Sequence, residues 1–243
     1  MNEKVLYKKM MRIEIFMEGY MRTQVVALFK AVLLVGWFLL ASTIVGIGVQ
    51  LFIGEEEHYY NVLMQHQFAL SLGSQLLCFI GIVLTTPNQP VIKKGSESVS
   101  FKSILRYMVM GLGAWLICIL ITQILTPFFP DYEAINQLFV NNEDLLRFCV
   151  VVIMAPLLEE YLFRGKILAY LKTGFPVKFA ILIQALLFAS LHALALQKIY
   201  SFIMGMIFGI VREKEKNFWS TFIMHMLINL IGWYIGSYAV SMG

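Results

Sequence analysis

The chain has 243 residues, of which 59% are hydrophobic and only 14% are charged, and its mean hydropathy is +0.75. A soluble globular domain carries roughly a quarter charged residues, so the composition excludes an ordinary soluble protein and predicts an integral membrane protein. The net charge of +4 does not indicate nucleic-acid binding, because most basic residues flank apolar spans. An odd number of cysteines within or beside apolar runs argues against a disulfide framework: Cys78, Cys118 and Cys149.

The first 24 residues are basic and amphipathic. The pattern is typical neither of a cleavable signal nor of a transit peptide, and it predicts a helix lying on the anionic face of the membrane. We expect this segment, 1–24, to be part of a single membrane domain that extends over residues 1–243. Its basic residues alternate with Met, Ile, Leu and Phe: Lys4, Lys8, Lys9, Arg12 and Arg22.

Apolar stretches of about 20 residues mark transmembrane helices, and they recur along the rest of the chain. We therefore predict an all-α polytopic membrane protein with about seven transmembrane helices plus the N-terminal interfacial helix. No internal repeat or soluble domain is evident. The predicted spans are about 31–53, 62–86, 104–127, 144–173, 177–196, 199–211 and 217–240.

Two of these spans carry unusual polar content. The second includes His66, which we expect to be a hydrogen-bonded packing residue, and polar neighbours suited to an interior position. The fourth contains Pro156, which should kink the helix. We expect the last turns of the fourth helix to emerge into water at Arg164, Lys166 and Lys172.

The basic residues predict the orientation. With the N-terminus in the cytoplasm, 17 of the 19 Lys and Arg residues lie on or near the inner side, and only Arg147 and Lys198 lie outside. This distribution satisfies the positive-inside rule at every loop. It predicts a cell-membrane protein, of bacterial type, with a cytoplasmic N-terminus and an external C-terminus.

Two adjacent carboxylates and an arginine follow the apolar run of the fourth span, at Glu159, Glu160 and Arg164. Ionisable groups in membrane helices are costly and mark functional sites. On a helix Glu160 and Arg164 share a face and can form an ion pair, whereas Glu159 points about 100° away from Glu160. We therefore predict that Glu160 is tied to Arg164 and that Glu159 is free for chemistry, although a purely structural ion pair is the alternative for Glu160 and Arg164.

Three further polar residues lie in the helices that follow. Glu159 and His192 lie about 21 and 24 Å from the tip of the hairpin that joins the fourth and fifth spans, and so at similar depth. His225 lies about 12 Å past the next cytoplasmic turn. Asn229 shares its helical face, although interhelical packing is the alternative role for this amide.

The ordered set of motifs resembles the CPBP (Abi) family, which includes the type II CAAX prenyl endopeptidases of the Ras-converting type. The resemblance covers about residues 140–235, the predicted catalytic core, and the first hundred residues carry no matching motif. Other intramembrane protease signatures are missing from the sequence. The three motifs are Glu159-Glu160-x-x-x-Arg164, Phe188-x-x-x-His192 and His225-x-x-x-Asn229.

The resemblance implies an intramembrane endopeptidase that hydrolyses a peptide bond with activated water. By that resemblance Glu159 and His192 activate the water, and His225 and Asn229 stabilise the oxyanion, with Glu160 and Arg164 in support. The family is often named a metalloprotease, and two histidines with a glutamate are a known zinc set. Glu159, His192 and His225 are therefore candidate ligands of a divalent metal such as zinc, and the sequence does not decide whether a metal is used.

The expected partners are the lipid bilayer and a peptide or protein substrate at the membrane. The resemblance suggests roles in peptide maturation or in self-immunity to bacteriocins. Two other functions remain open at this point. One is a non-enzymatic immunity or scaffold protein of the same fold, and the other is a small proton-coupled transporter, although transport predicts repeats that this sequence lacks.

Overall fold

The computed structural model describes residues 3–53, 56–86, 99–129 and 144–241. Across these ranges the chain is helical and contains no strand, which confirms the all-α class. Most of the predicted loops 87–102 and 128–145 lies outside the described residues, as do the side chains of Lys4, Lys8 and Lys9.

The described residues form eight helices. Helix α5, residues 144–174, is a continuous helical stretch in which α-helical and π-helical segments alternate. The other helices are α1 Glu3–Ile53, α2 Glu56–Gln65, α3 Gln67–Thr85, α4 Phe101–Leu125, α6 Val177–Ser190, α7 Ala195–Glu215 and α8 Phe218–Ser241.

Several of these helices are long and apolar enough to cross a membrane, which confirms a multi-pass membrane protein. Within the described ranges there are five such segments, which come from α1, α3, α4, α7 and α8. Helix α6 has only 14 residues, and α5 is divided by its π-helical segments. The number seven therefore stays a prediction.

The basic N-terminal segment and the first predicted span form one unbroken helix, α1, because no proline or other helix-breaking residue separates them. From Thr23 onwards α1 packs closely on α5, where a Cβ at Gly174 would lie 2.8 Å from the Cα of Gln24. Before that point large apolar side chains are exposed, among them Ile15 and Phe16.

The predicted second span is divided at His66, which stands in a bend between α2 and α3 and is exposed. The polar residues that follow line a cavity of about 280 Å³ between α3 and α1. One of them, Gln75, donates a hydrogen bond of 3.2 Å to the hydroxyl of Ser71. Further along, the indole of Trp37 on α1 donates to the carbonyl of Cys78 at 3.2 Å, which fixes α1 against α3.

Helix α5 has two π-helical segments, Cys149–Met154 and Glu160–Ile167. Glu159 ends the short α-helical stretch between them, and Glu160 begins the second segment. Single π-helical turns are rare and occur frequently at functional sites. In the first of them the N–H of Ala155 donates to the carbonyl of Val150, five residues back. The next residue is Pro156, which has no N–H to continue the pattern, so the irregular region follows directly from the sequence.

Two expectations for α5 and α6 were wrong. Lys166 does not emerge into water: it is only 2% exposed, because its ammonium group donates to the carbonyl of Thr86 at 2.8 Å and closes the end of α3. Arg164 is also buried, held by the ion pair described below. The predicted fifth helix, 177–196, ends at Ser190, so that His192 lies in a turn.

The turn at His192 has a local physical cause. In a helix the carbonyl of Phe188 would accept the backbone N–H of His192, but here it lies 3.1 Å from the ring Nδ1 of His192. The backbone N–H of His192 donates instead to Ala189 at 3.1 Å. Local side-chain hydrogen bonds of this kind compete with helical ones, and α7 then starts at Ala195, earlier than the sequence predicts.

Helices α6 and α7 pack closely because α7 carries two glycines on the contact face. A Cβ at Gly205 would lie 2.9 Å from the Cα of Ala185, and a Cβ at Gly209 would lie 2.8 Å from Ile181. Close helix contact at small residues is typical of membrane proteins. It places Phe188 of α6 and Phe208 of α7 next to each other over Arg164 of α5.

Candidate active site

The centre of the site is the ion pair between Glu160 and Arg164 on α5. Glu160 Oε1 lies 3.0 Å from Arg164 Nη1, and both side chains are completely buried. The residues are four apart, so the predicted pairing on one helix face is confirmed. Removing either of two paired charges that lack access to water leaves the other one uncompensated, which is strongly destabilising. The pair therefore holds this turn of α5 in place.

Two aromatic rings complete the environment of Arg164. The guanidinium carbon lies 4.4 Å from the ring centroid of Phe188 on α6 and 5.2 Å from that of Phe208 on α7. An arginine over an aromatic face is stabilised by the ring quadrupole, more strongly when it is desolvated. Arg164 thus connects α5 to both helices of the α6–α7 hairpin.

His225 on α8 reaches both carboxylates. Its Nδ1 lies 2.9 Å from Glu160 Oε1, and its Nε2 lies 3.7 Å from Glu159 Oε2. The Glu160 carboxylate, ionised beside Arg164, accepts at this contact, so Nδ1 carries a proton. Such a partner fixes the orientation and tautomer of a histidine, and it directs Nε2 towards Glu159.

Glu159 differs from its neighbour in exposure. Its side chain is 22% exposed, whereas that of Glu160 is fully buried. Glu159 Oε2 lies 3.7 Å from His225 Nε2, which is longer than a hydrogen bond. Glu159 is therefore the carboxylate that can meet a water molecule or a substrate.

His192 lies in the α6–α7 turn, against the same aromatic ring. The centroid of its ring is 5.1 Å from that of Phe188, and the ring of His225 is 6.3 Å from Phe188 on another side. Because the Phe188 carbonyl can only accept a hydrogen bond, the Nδ1 of His192 donates to it. The Nε2 atom of His192 therefore carries a lone pair that can accept a hydrogen bond. The predicted pairing of His192 with Glu159 stays a prediction.

Asn229 is tied to the irregular part of α5. Its Nδ2 donates to the carbonyl of Val151 at 2.8 Å. In the π-helical pattern this carbonyl would accept from the residue at 156, which is a proline without an N–H. Asn229 thus supplies the donor that Pro156 lacks, and its second amide N–H stays available.

The candidate metal ligands do not form a ligand set in this arrangement. Among the described residues no group of three His, Cys, Asp or Glu side chains is close enough to hold a metal ion. Of the three candidates, Glu159 and His225 are near each other, with 3.7 Å between Glu159 Oε2 and His225 Nε2, but among the described residues His192 does not complete a group of three with them. These residues do not fit a three-ligand metal site, so no chemical step is assigned to a metal here.

Sequence reasoning missed two contributors to the site. Phe208 covers Arg164 from α7, and Lys166 holds the end of α3 against α5. Neither belongs to a motif. Phe208 lies in an apolar run with no distinguishing pattern, and the acceptor of Lys166 is 80 residues away in the chain, so the sequence offered no signal for either.

Comparison with known proteins places this site within a recognised domain. Residues 141–231 match the family model described as "Type II CAAX prenyl endopeptidase Rce1-like". The matched segment contains all three motifs and ends just after Asn229. No curated protein matches the chain, and no solved structure matches it.

Proposed function

We propose that this multi-pass membrane protein, whose residues 141–231 match the Rce1-like family model, is a CAAX-type peptidase of the CPBP family, and that it cleaves membrane-associated peptides or proteins with water activated by Glu159. The observation that carries this proposal is the difference between the two carboxylates. Glu160 is buried and paired, whereas Glu159 is partly exposed beside His225.

Glu159 would act as the general base. A partly desolvated carboxylate that forms no close ion pair with lysine or arginine among the described residues can take a proton from water, and general base catalysis contributes roughly a hundredfold or more to the rate. The hydroxide then attacks the carbonyl carbon of the scissile peptide bond. When the C–N bond breaks, the proton held by Glu159 passes to the leaving amine. His192, whose Nε2 lone pair can accept from the same water, is its proposed partner.

His225 and Asn229 would stabilise the tetrahedral intermediate. Asn229 has one N–H engaged with Val151 and a second one that can donate to an oxyanion. His225 can donate from Nε2 when both ring nitrogens carry protons, because Glu160 accepts at Nδ1. Donors of this kind contribute about 10²–10³ to turnover.

The turn between α6 and α7 supports access of water to the site. With 14 residues, α6 is about 21 Å long, less than the roughly 30 Å hydrocarbon core. Non-helical backbone at membrane depth is tolerated where it is buried in protein or lines a water-filled cavity. His192 is partly exposed in this turn, as expected if the turn borders such a cavity.

The orientation and the biological role belong to the proposal. We propose a bacterial protein with a cytoplasmic N-terminus and an external C-terminus, whose substrates need not be prenylated and whose role lies in peptide maturation or bacteriocin self-immunity. The charge distribution supports the orientation. Labelling of Ser96→Cys in intact cells tests it, because an impermeant thiol reagent should reach this position only after the membrane is opened.

Two alternative functions make different predictions for a single substitution. With purified protein and a peptide library read by mass spectrometry, Glu159→Gln should fold, insert and fail to cleave. A non-enzymatic scaffold or immunity protein would keep its function with this substitution. A proton-coupled transporter would lose pH-driven flux and would show no cleavage in the wild-type protein either.

A further inference from the structure

Gln184 on α6 is a polar residue that no motif includes. Its side chain is completely buried, and neither its amide oxygen nor its amide nitrogen has a hydrogen-bond partner in the protein. Buried side-chain amides are hydrogen-bonded in the large majority of cases, and an unmatched one destabilises the folded state. A group of this kind in a membrane helix requires an explanation.

The neighbours of Gln184 are the residues that surround Arg164. Phe188 lies one helical turn further along the same face of α6, and its ring covers the guanidinium at 4.4 Å. On α7 the amide oxygen of Gln184 would lie 3.2 Å from a Cβ at Gly209. Gly209 directly follows Phe208, the second ring over Arg164. Gln184 and Arg164 therefore occupy the same dry region between α6 and α7.

Arg164 has unused donors in this region. A guanidinium has five N–H groups, and Glu160 lies on one side of it. Beyond this ion pair, the buried nitrogens of Arg164 have no hydrogen-bond acceptor in the protein. The unmatched donors of Arg164 thus share one set of neighbours with two buried acceptors that lack donors, the Gln184 amide oxygen and Glu160 Oε2. Glu160 Oε2 belongs to the carboxylate already paired with Arg164, so Gln184 supplies the unmatched acceptor outside the ion pair.

We infer that Gln184 is a positioning residue for Arg164, whose guanidinium donates to the Gln184 amide oxygen through one bound water. This inference rests on the proposed function. Arg164 holds Glu160, Glu160 orients His225, and His225 lies beside Glu159. Gln184 therefore acts on the reaction through the arginine and does not contact the substrate.

The first test compares Gln184→Met with the wild-type protein and with Gln75→Met as a control. Methionine keeps the approximate volume and removes the amide, and Gln75 is a half-buried amide of α3 that belongs to none of the motifs and lines the cavity beside α1. We expect Gln184→Met to lower kcat about tenfold, as for partners that orient site residues, with KM unchanged, whereas Gln75→Met keeps kcat. Gln184→Glu keeps an acceptor oxygen and should restore most of kcat. Wild-type kcat in Gln184→Met would overturn the inference.

The second test does not depend on activity. If Gln184 had no partner, replacing it with methionine would leave the thermal unfolding temperature in detergent unchanged or raise it. If it binds Arg164, the unfolding temperature should fall in the wild-type background and fall less in the Arg164→Lys background, because lysine lacks the planar set of donors. Additive effects of the two substitutions would overturn the inference, whether or not a cleaved peptide has been found. Absence of cleavage by the wild-type protein would instead contradict the proposed function alone.

Discussion

The imidazole of His225 lies 2.9 Å from the carboxylate of Glu160, closer than the 3.7 Å that separates its other nitrogen from Glu159. The two adjacent glutamates therefore lie in different environments. Glu160, buried with Arg164, holds the histidine, and Glu159 remains partly exposed beside it. The predictions below follow from this division.

Arg164 should be essential for the folded state. Replacing it with alanine leaves Glu160 as an unpaired charge without access to water, and breaking a buried pair in this way costs about 3–5 kcal/mol. We expect Arg164→Ala to lower the unfolding temperature in detergent and the yield of folded protein. Lys172→Ala is the matched control, because Lys172 pairs with Glu213 at 2.6 Å with a third of its side chain exposed, and such pairs contribute about 0–1 kcal/mol. Equal stability of the two variants would refute the role given to Arg164.

Asn229 should have two separable roles, one in stability and one in turnover. Asn229→Ala leaves the Val151 carbonyl without a donor, which should cost about 1–3 kcal/mol, and removes an oxyanion donor, which should lower turnover about 10²–10³-fold. Adding Pro156→Ala returns a backbone N–H next to that carbonyl. The double variant should therefore recover stability and not turnover, as measured by thermal unfolding and by peptide cleavage. Recovery of both would show that Asn229 acts only on the structure.

The sequence was sufficient to predict interactions between residues that are near each other in the chain. The Glu160–Arg164 pair follows from a four-residue spacing on one helix, and the irregular turn of α5 follows from Pro156. The contact between His225 and Glu160 could not be assigned from sequence, because it depends on how α8 rotates against α5. Depth along a helix can be counted from residues, whereas rotation about its axis depends on the packing of its neighbours.

The position of His192 shows a second limit. No proline or glycine occurs between Ser190 and Ala195, so the pattern predicted an uninterrupted helix. The helix is interrupted where the ring Nδ1 of His192 donates a hydrogen bond to the Phe188 carbonyl. The burial of Lys166 was missed for a similar reason, since its acceptor, the Thr86 carbonyl, is 80 residues away in the chain.

His192 should be required for cleavage and not for folding. Its ring lies in a turn, partly exposed, and contributes one hydrogen bond to the nearby backbone. We expect His192→Ala to keep the wild-type elution profile and unfolding temperature while losing peptide cleavage. The control is His66→Ala, which alters the exposed histidine of the α2–α3 bend and should keep full activity. If His192→Ala cleaved at the wild-type rate, the proposed pairing with Glu159 would be wrong.

A chelator should leave cleavage unchanged. Within the described residues no three potential ligands converge. We therefore expect the purified protein to cleave equally well with and without 1,10-phenanthroline. Inhibition that added zinc reverses would contradict this expectation and would make Glu159, His192 and His225 ligand candidates again.

The central claim is that Glu159, and not Glu160, is the general base. The most direct measurement is peptide cleavage by the purified protein, followed by mass spectrometry, for wild type, Glu159→Gln and Glu160→Gln, together with the unfolding temperature of each. We predict that Glu159→Gln unfolds at the wild-type temperature and produces no cleaved peptide, whereas Glu160→Gln loses stability because Arg164 loses its counter-ion. Cleavage at the wild-type rate by a stable Glu159→Gln protein would contradict the account.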